Sequence, residues 1–352
     1  MGRLYIIGNG FDLAHNLSTR YDCNLRNILR KNNNDLFCAA DSLYFDRCIK
    51  YWCSFEARLG KISKNYVTEK KDIINQKIAD FYLNNSDPFQ YSYNPNDEQY
   101  GDHYTEVDNA IYSLQNNRPS IESLIPEELT KLEDILSFLY DGLDCMVNNA
   151  NLELNTRERL FNFSDDDIFI TFNYTDTLEK LYNIPQERIL HIHGQNIGDK
   201  ILGNSKKNIT KFIDLDVDNT NDEVEDLDKH ADYPSNLPDF YNDLQIPDSD
   251  VNELVTESNN LISNEAEAFE KHINLEGLKN FISGKNLFTD IIVLGHSMSA
   301  VDTPYFDFIN KKFNEPNWII SFYKYSDIVF ENIKHLNYKK VKSINIKKFK
   351  IK

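Results

Sequence analysis

Basic residues are the scarce class in this chain of 352 residues. Lys and Arg number 38 against 56 Asp and Glu, for a formal net charge of -18. General nucleic-acid binding needs clustered Lys and Arg to neutralise phosphates, so this balance argues against it. Cysteine is sparse too: Cys23, Cys38, Cys48, Cys53 and Cys145 are the full set. None forms a Cys-x-x-Cys pair, and the spacing of Cys48 and Cys53 does not fit an ordinary zinc site. Reduced, buried thiols in a cytoplasmic protein are the expectation. Long apolar runs are also missing. Leu4–Ile7 is far too short for the apolar region of a signal peptide, and no stretch approaches a membrane span. No association with membranes is expected.

Two motif residues are lacking as well. A dinucleotide fingerprint would carry its third glycine at position 13, which is Leu13. A Gly-x-Ser-x-Gly nucleophile elbow starting at Gly295 is broken by Ser299, which argues against a hydrolase using Ser297.

What is present suits a folded protein of one large domain or two ordinary ones. Hydrophobic residues make up 41%, including 22 Phe and 20 Tyr, enough to fill a sizeable core. Apolar runs at Leu4–Ile7, Ile168–Phe172, Ile189–His193, Ile291–Leu294 and Trp318–Phe322 have the length of buried strands rather than core helices. Helical spacing fills the intervals. Phe45, Cys48, Ile49, Trp52, Phe55 and Leu59 predict a helix over 42–59. Ile73, Ile74, Ile78 and Phe81 predict one over 67–82. Leu132, Ile135, Leu136, Leu139 and Leu143 give another amphipathic face, with a helix opening at Pro126. Phe269, Ile273, Leu278 and Ile282 predict one over 260–283. The result is an α/β protein with a largely parallel sheet. Residues 1–20 and 161–352 form the core, and 21–160 a mainly helical insertion.

Three stretches depart from this pattern. Asn84–Gly101 is rich in Asn, Asp, Tyr and Pro and reads as a long loop or lid. Between Asp214 and Asp250 there are 13 carboxylates and one cation, Lys229, so an acidic insertion of about 211–255 is expected to be solvated. Asp214, Asp216 and Asp218 lack the glycine and closing Glu of a calcium loop. The tail from Lys334 has eight Lys in nineteen residues, interleaved with Val341, Ile344 and Ile346, the pattern of an edge strand protected by lysines.

Polar residues gather where the strands stop. In an open α/β sheet that edge is where ligands bind. Gly8-Asn9-Gly10 follows the first strand, and its glycines let the backbone turn tightly and approach a ligand. Asp12 is placed to receive a ligand hydroxyl or to cap the next segment. Thr171 and Asn173 close the second strand. Asp176 with Glu179 resembles a helix N-cap and its return partner. Asn173 offers both donor and acceptor to a water or a sugar hydroxyl. His193, before Gly194, can act as a base near neutral pH. His191, two residues earlier on a strand, would share its face. The two histidines read either as a metal pair completed by Asp12 or His296, or as one catalytic and one core histidine. After the fourth strand, Gly295 and Ser297 would present backbone and hydroxyl groups, and Asp302 a turn contact or a ribose contact. Nucleotide cleavage, a non-catalytic nucleotide sensor, and a metal-dependent nuclease using Asp12, His191 and His193 all remain open on these residues.

Ile6-Ile-Gly-Asn-Gly-Phe-Asp12, Thr171-Phe-Asn-Tyr-Thr-Asp176, His191-Ile-His-Gly194 and Leu294-Gly-His-Ser-Met298 together resemble the AbiH-type family of bacterial abortive-infection proteins. Their order is similar, more distantly, to the SIR2-like group. That resemblance implies a Rossmann-like domain that takes NAD as substrate, with no metal. It implies that Asn173 holds the attacking water or the ribose and that His193 is the general base. Gly8 and Gly10 would cradle the phosphates, and Gly295 and Ser297 would hold the ribose side. Asn9, Asp12, Thr171, Asp176, Gly194 and Asp302 would complete the binding set. The SIR2 pattern carries Asp two residues after its Asn, where this chain has Thr175, with Asp176 one later. The implied function is an anti-phage effector that cleaves NAD to nicotinamide and ADP-ribose. A phage-derived trigger and a homo-oligomer are the implied partners.

Overall fold

The structure, a computed structural model, describes residues 2–85, 125, 129, 131–195, 200–204, 206, 209–210, 248–285, 288–322 and 341–346. The acidic tract up to 247, most of the Asn84–Gly101 loop, the Pro126 helix opening and the last lysines lie outside the described residues.

In chain order the elements are β1 (Leu4–Ile7), α1 (Asn9–Ala14), a π-helical turn (Tyr21–Leu25), α2 (Arg26–Asn32), α3 (Asn34–Phe45), α4 (Ile49–Trp52), α5 (Phe55–Arg58) and α6 (Lys64–Asn85). There follow α7 (Glu133–Glu153), β2 (Ile168–Thr171), a π-helical turn (Thr177–Leu181), β3 (Ile189–His191) and α8 (Asp248–Ala268). The last are α9 (Leu275–Ile282), β4 (Asp290–Leu294), α10 (Thr303–Lys312), β5 (Asn317–Phe322) and β6 (Val341–Asn345).

The six strands pair in the order β3-β2-β1-β4-β5-β6. Every pairing is parallel. This is the α/β, Rossmann-like architecture expected from the sequence, in the 3-2-1-4-5-6 order of dinucleotide-binding folds. Alternation along each strand builds two cores. Leu4, Ile6, Ile168, Ile170, Ile291, Val293, Trp318 and Ile320 join one, under Leu278 and Ile282 of α9 and Tyr305, Phe306 and Ile309 of α10. Tyr5, Ile7, Phe169, Ile189, Ile292 and Leu294 join the other, with Phe11 of α1, Ala150 of α7, Leu178 and Leu181. A sheet covered on both faces needs near-continuous apolar strands, which is why these runs do not alternate with polar residues. β6 takes the edge beside β5, the place its lysine-rich surroundings fit.

The described chain divides into two compact units. One joins Met1–Lys61, Asp134–Ile209 and Ala266–Lys352 and contains the whole sheet. The other joins Ile62–Glu133 and Thr210–Glu265, with α6 and most of α8. Residues 21–61 and 134–160, expected in the helical insertion, fall in the sheet unit.

Two expected helices are broken. Asp46 and Arg47 take left-handed φ angles of 50° and 55°, which ends α3 and leaves 47–59 as two single-turn helices. Phe45, Trp52, Phe55 and Leu59 are still buried, whereas Ile49 is 54% exposed. The helix expected over 260–283 stops at Ala268 and restarts at Leu275. In between, Asn204 N donates to Phe269 O at 2.9 Å and Lys271 N donates to Asn204 O at 2.8 Å, drawing the chain into a short extended bridge. The cysteines are also a correction. All five are free thiols, but Cys23, Cys38, Cys53 and Cys145 are exposed and Cys48 is half-buried, because the faces carrying them do not turn toward a core. Among the described residues no helix is long and apolar enough to cross a membrane.

Candidate functional site

β1 and β4 are neighbours at the point where the strand order reverses, and the loops that follow them touch. Gly8 N donates to Leu294 O at 3.0 Å, and Gly10 N to Gly295 O at 2.8 Å. A Cβ on Gly8 would lie 2.5 Å from His296 Cα, and one on Gly10 2.7 Å from Gly295 O. Gly295 has φ +70°, and a Cβ there would lie 2.3 Å from Phe11 N. These glycines therefore let two backbones meet. The expected phosphate cradle is not what their N–H groups form here. Those of Gly8 and Gly10 are taken as described, and Phe11 N donates to Gly8 O at 2.8 Å. The Asn9 side chain donates to Thr19 O at 2.9 Å.

Beyond the glycine contact lies a buried group of charged and aromatic side chains. Asp302 is its hub. Lys271 Nζ donates to Asp302 Oδ1 at 3.1 Å and to Glu56 Oε2 at 3.1 Å. His193 Nε2 lies 3.3 Å from Asp302 Oδ1, and His296 Nε2 3.4 Å from Asp302 Oδ2. His296 Nδ1 accepts from Met298 N at 2.9 Å, so the ring proton belongs on Nε2, toward Asp302. His193 packs edge-on against Phe172 at 5.0 Å and lies 6.1 Å from Tyr174. The ring is buried. Among the described residues neither ring nitrogen has a hydrogen-bond partner. On the outer side, Tyr21 and Tyr174 hydroxyls approach Glu56 Oε1 at 3.5 Å each.

Electrostatics sets the charge states. Burial opposes the ionisation of Asp302, but Lys271 and the two imidazoles overcome it and hold the carboxyl well below the usual range. Burial likewise opposes the charge on Lys271, and Asp302 and Glu56 outweigh it, so its ammonium is strengthened. For His193, burial and then Lys271 lower the proton affinity, against the pull of Asp302. Burial and the charge of Glu56 push the Tyr21 and Tyr174 phenols well up, so both remain protonated. Lys271 therefore stands as an ammonium between Asp302 and Glu56, and His193 is held toward its neutral form.

A second polar group lies around Asn173. Asp12 is buried and accepts from Thr175 Oγ1 at 2.6 Å and Thr177 Oγ1 at 2.8 Å. Burial pushes its carboxyl up to about 6 in spite of hydrogen bonds from Thr175, Thr177 and Asn173. Asn173 Nδ2 donates to Gly8 O at 3.1 Å, and Asn173 N to Thr171 Oγ1 at 3.1 Å. His191 has Nδ1 3.2 Å from Asn173 O and Nε2 2.7 Å from Glu179 Oε1. Asp176 does not cap its turn. Its carboxylate instead accepts from Asn151 at 3.1 Å and Gln195 at 2.8 Å.

The expected site residues thus fall into two groups. His193, Asp302 and His296 meet Lys271 and Glu56, while Asn173, Asp12, Thr171 and Asp176 belong with His191. The two histidines do not share a face, because β3 ends at His191 and the chain turns before Gly194, whose φ is 78°. Asp12, His191 and His193 turn to three different partners, so the proposed nuclease set is not assembled. No group of metal-ligating side chains forms among the described residues. Ser297 is exposed between buried His296 and Met298. Lys271 was missed because it stood inside an expected helix. The available signal was Asn274, whose side chain accepts from Gly277 N at 2.9 Å as the cap of α9.

The family model described as Bacteriophage abortive infection AbiH matches residues 4–324. That span takes in β1 to β5 and every residue of both polar groups. No curated protein and no solved structure matches the chain. The match covers most of the sequence together with the sheet and its polar edge, and the chain belongs to the AbiH family of bacteriophage abortive-infection proteins.

Proposed function

We propose that this chain acts in abortive infection by cleaving the N-glycosidic bond of NAD, releasing nicotinamide and ADP-ribose. One observation carries the reading. His193, whose ring nitrogens have no hydrogen-bond partner among the described residues, is buried beside the Asp302 and Glu56 carboxyls that share Lys271, at the carboxyl edge of a sheet in dinucleotide-binding order. The reaction develops positive charge on the ribose as the bond to the cationic nicotinamide breaks. Fixed negative charge in a water-poor site favours that state over the ground state.

His193 is the base in this scheme. With its proton on Nε2, toward Asp302, the ring presents the Nδ1 lone pair. Water attacks ribose C1′ and gives a proton to Nδ1, and the electron pair of the broken bond leaves on the nicotinamide nitrogen. Asp302 stabilises the imidazolium that forms. In this scheme Asn173 and Asp12 supply polar contacts for the sugar.

The test is nicotinamide release, followed by chromatography, from the purified chain and from cells carrying it during phage infection. His193→Ala should lose roughly 100-fold or more of the release, the usual worth of a general base, while keeping its fold. Equal release by His193→Ala would overturn the assignment. Binding of NAD or ADP-ribose by calorimetry, with no product in either setting, would favour a nucleotide sensor that answers the phage trigger without chemistry.

A further inference from the structure

We propose that Lys271 is a positioning residue for the His193–Asp302 pair: its buried ammonium, 3.1 Å from both Asp302 Oδ1 and Glu56 Oε2, occupies the carboxylate and so leaves His193 uncharged and able to accept a proton. The inference rests on His193 as the base, but its test does not require NAD to be the substrate.

The Lys271 side chain has no exposure at all. A buried cation is costly, and breaking such a pair from one side leaves an uncompensated charge. Apolar side chains of similar volume often serve stability as well, so packing alone does not explain this lysine. Its surroundings explain it better. The groups that face His193 are Phe172 and Tyr174 after β2, Asp302 after β4 (with His296 on its other oxygen), Tyr305 of α10, and Lys271 with Glu56. The anions here are Glu56 and Asp302, and Lys271 is the cation that both contact. Lys271 and His193 address the same oxygen, Asp302 Oδ1, at 3.1 and 3.3 Å. Without the ammonium, that oxygen would recruit the imidazole as its counter-ion. The ring would then be an imidazolium with no lone pair for water. The fold places Lys271 deliberately in this sense: the bridge to Asn204 breaks the helix between α8 and α9 and turns this residue inward.

The experiment follows the His193 ring by NMR in the full chain with labelled histidine, assigned by comparison with His193→Gln, across a pH titration. In the wild type the ring should stay neutral at pH 7. In Lys271→Met its proton affinity should rise roughly ten-fold or more, the usual effect of an unopposed carboxylate at this range. Lys271→Arg should titrate like the wild type. The acid limb of any nicotinamide release should move to higher pH with the Met variant. A folded Lys271→Met whose His193 titrates unchanged overturns the proposal. If that variant does not fold, Lys271→Met with Glu56→Gln removes an anion along with the cation, and the same rise is required of it. Absence of nicotinamide from every variant, with the titration shift intact, would count against NAD cleavage and leave the role of Lys271 standing.

Discussion

At the scale of single residues, Asp12 shows how a buried group reports its environment. Burial lifts its carboxyl from the ordinary 3.8 to about 6, although two threonine hydroxyls donate to it. The folded chain therefore binds this proton more tightly than the unfolded one. The ionisation penalty is full above about pH 6 and disappears as pH falls toward 3.8. At about 1.4 kcal/mol per pH unit, it is on the order of 3 kcal/mol. His193 runs the other way. Its proton affinity is depressed below the ordinary 6.5, so its contribution is full above that pH and is lost as pH falls through the folded value. Comparison with Asp12→Asn isolates the aspartate. The stability of the wild type relative to Asp12→Asn should rise by on the order of 3 kcal/mol between pH 7 and pH 4. Urea unfolding across that range measures it, and a flat difference would mean that Asp12 is solvated.

Among the elements, the contact between the loops after β1 and β4 matters most, because it fixes the strand ends beneath the polar groups. Gly295 and Gly284 both have φ +70°, yet a Cβ on Gly284 would meet nothing within 4 Å, whereas on Gly295 it would meet Gly10 and Phe11. Alanine at Gly284 should therefore cost only the backbone conformation, about 1 kcal/mol. Alanine at Gly295 should cost about 3 kcal/mol or more, since the backbone atoms it meets cannot swing aside. Guanidinium unfolding of the two variants separates conformational strain from overlap. The glycines themselves were visible in the sequence, as turns after strands. That they face each other was not, because β1 and β4 are separated by most of the chain and their pairing is tertiary. The broken helix between α8 and α9 teaches the same lesson. Phe269, Ile273, Leu278 and Ile282 keep helical spacing, but the hydrogen bonds to Asn204 override it.

For the whole molecule, charge is the dominant global property. A net charge of -18 makes the compact state repel itself, while the polar groups under the sheet edge are shielded from salt by burial. Raising sodium chloride from ~10 mM to ~0.2 M should raise the thermal midpoint by a few degrees. An equal rise with a neutral osmolyte at matched osmolarity would point to solvent exclusion instead of screening. The sequence by itself determined the strands, the sheet they form and the edge at which polar residues collect. Those follow from local apolar runs and from where they stop, which are properties of neighbouring residues. It also marked Asn173, His193, Asp302 and Asp12. Tertiary structure alone decided the partners. It joined His193 to Asp302, and Lys271 to both Asp302 and Glu56. It divided Asn173 from His193 into separate groups. An ion pair between Glu56 and Lys271 spans 215 positions, and no periodicity or spacing carries information over that length of chain.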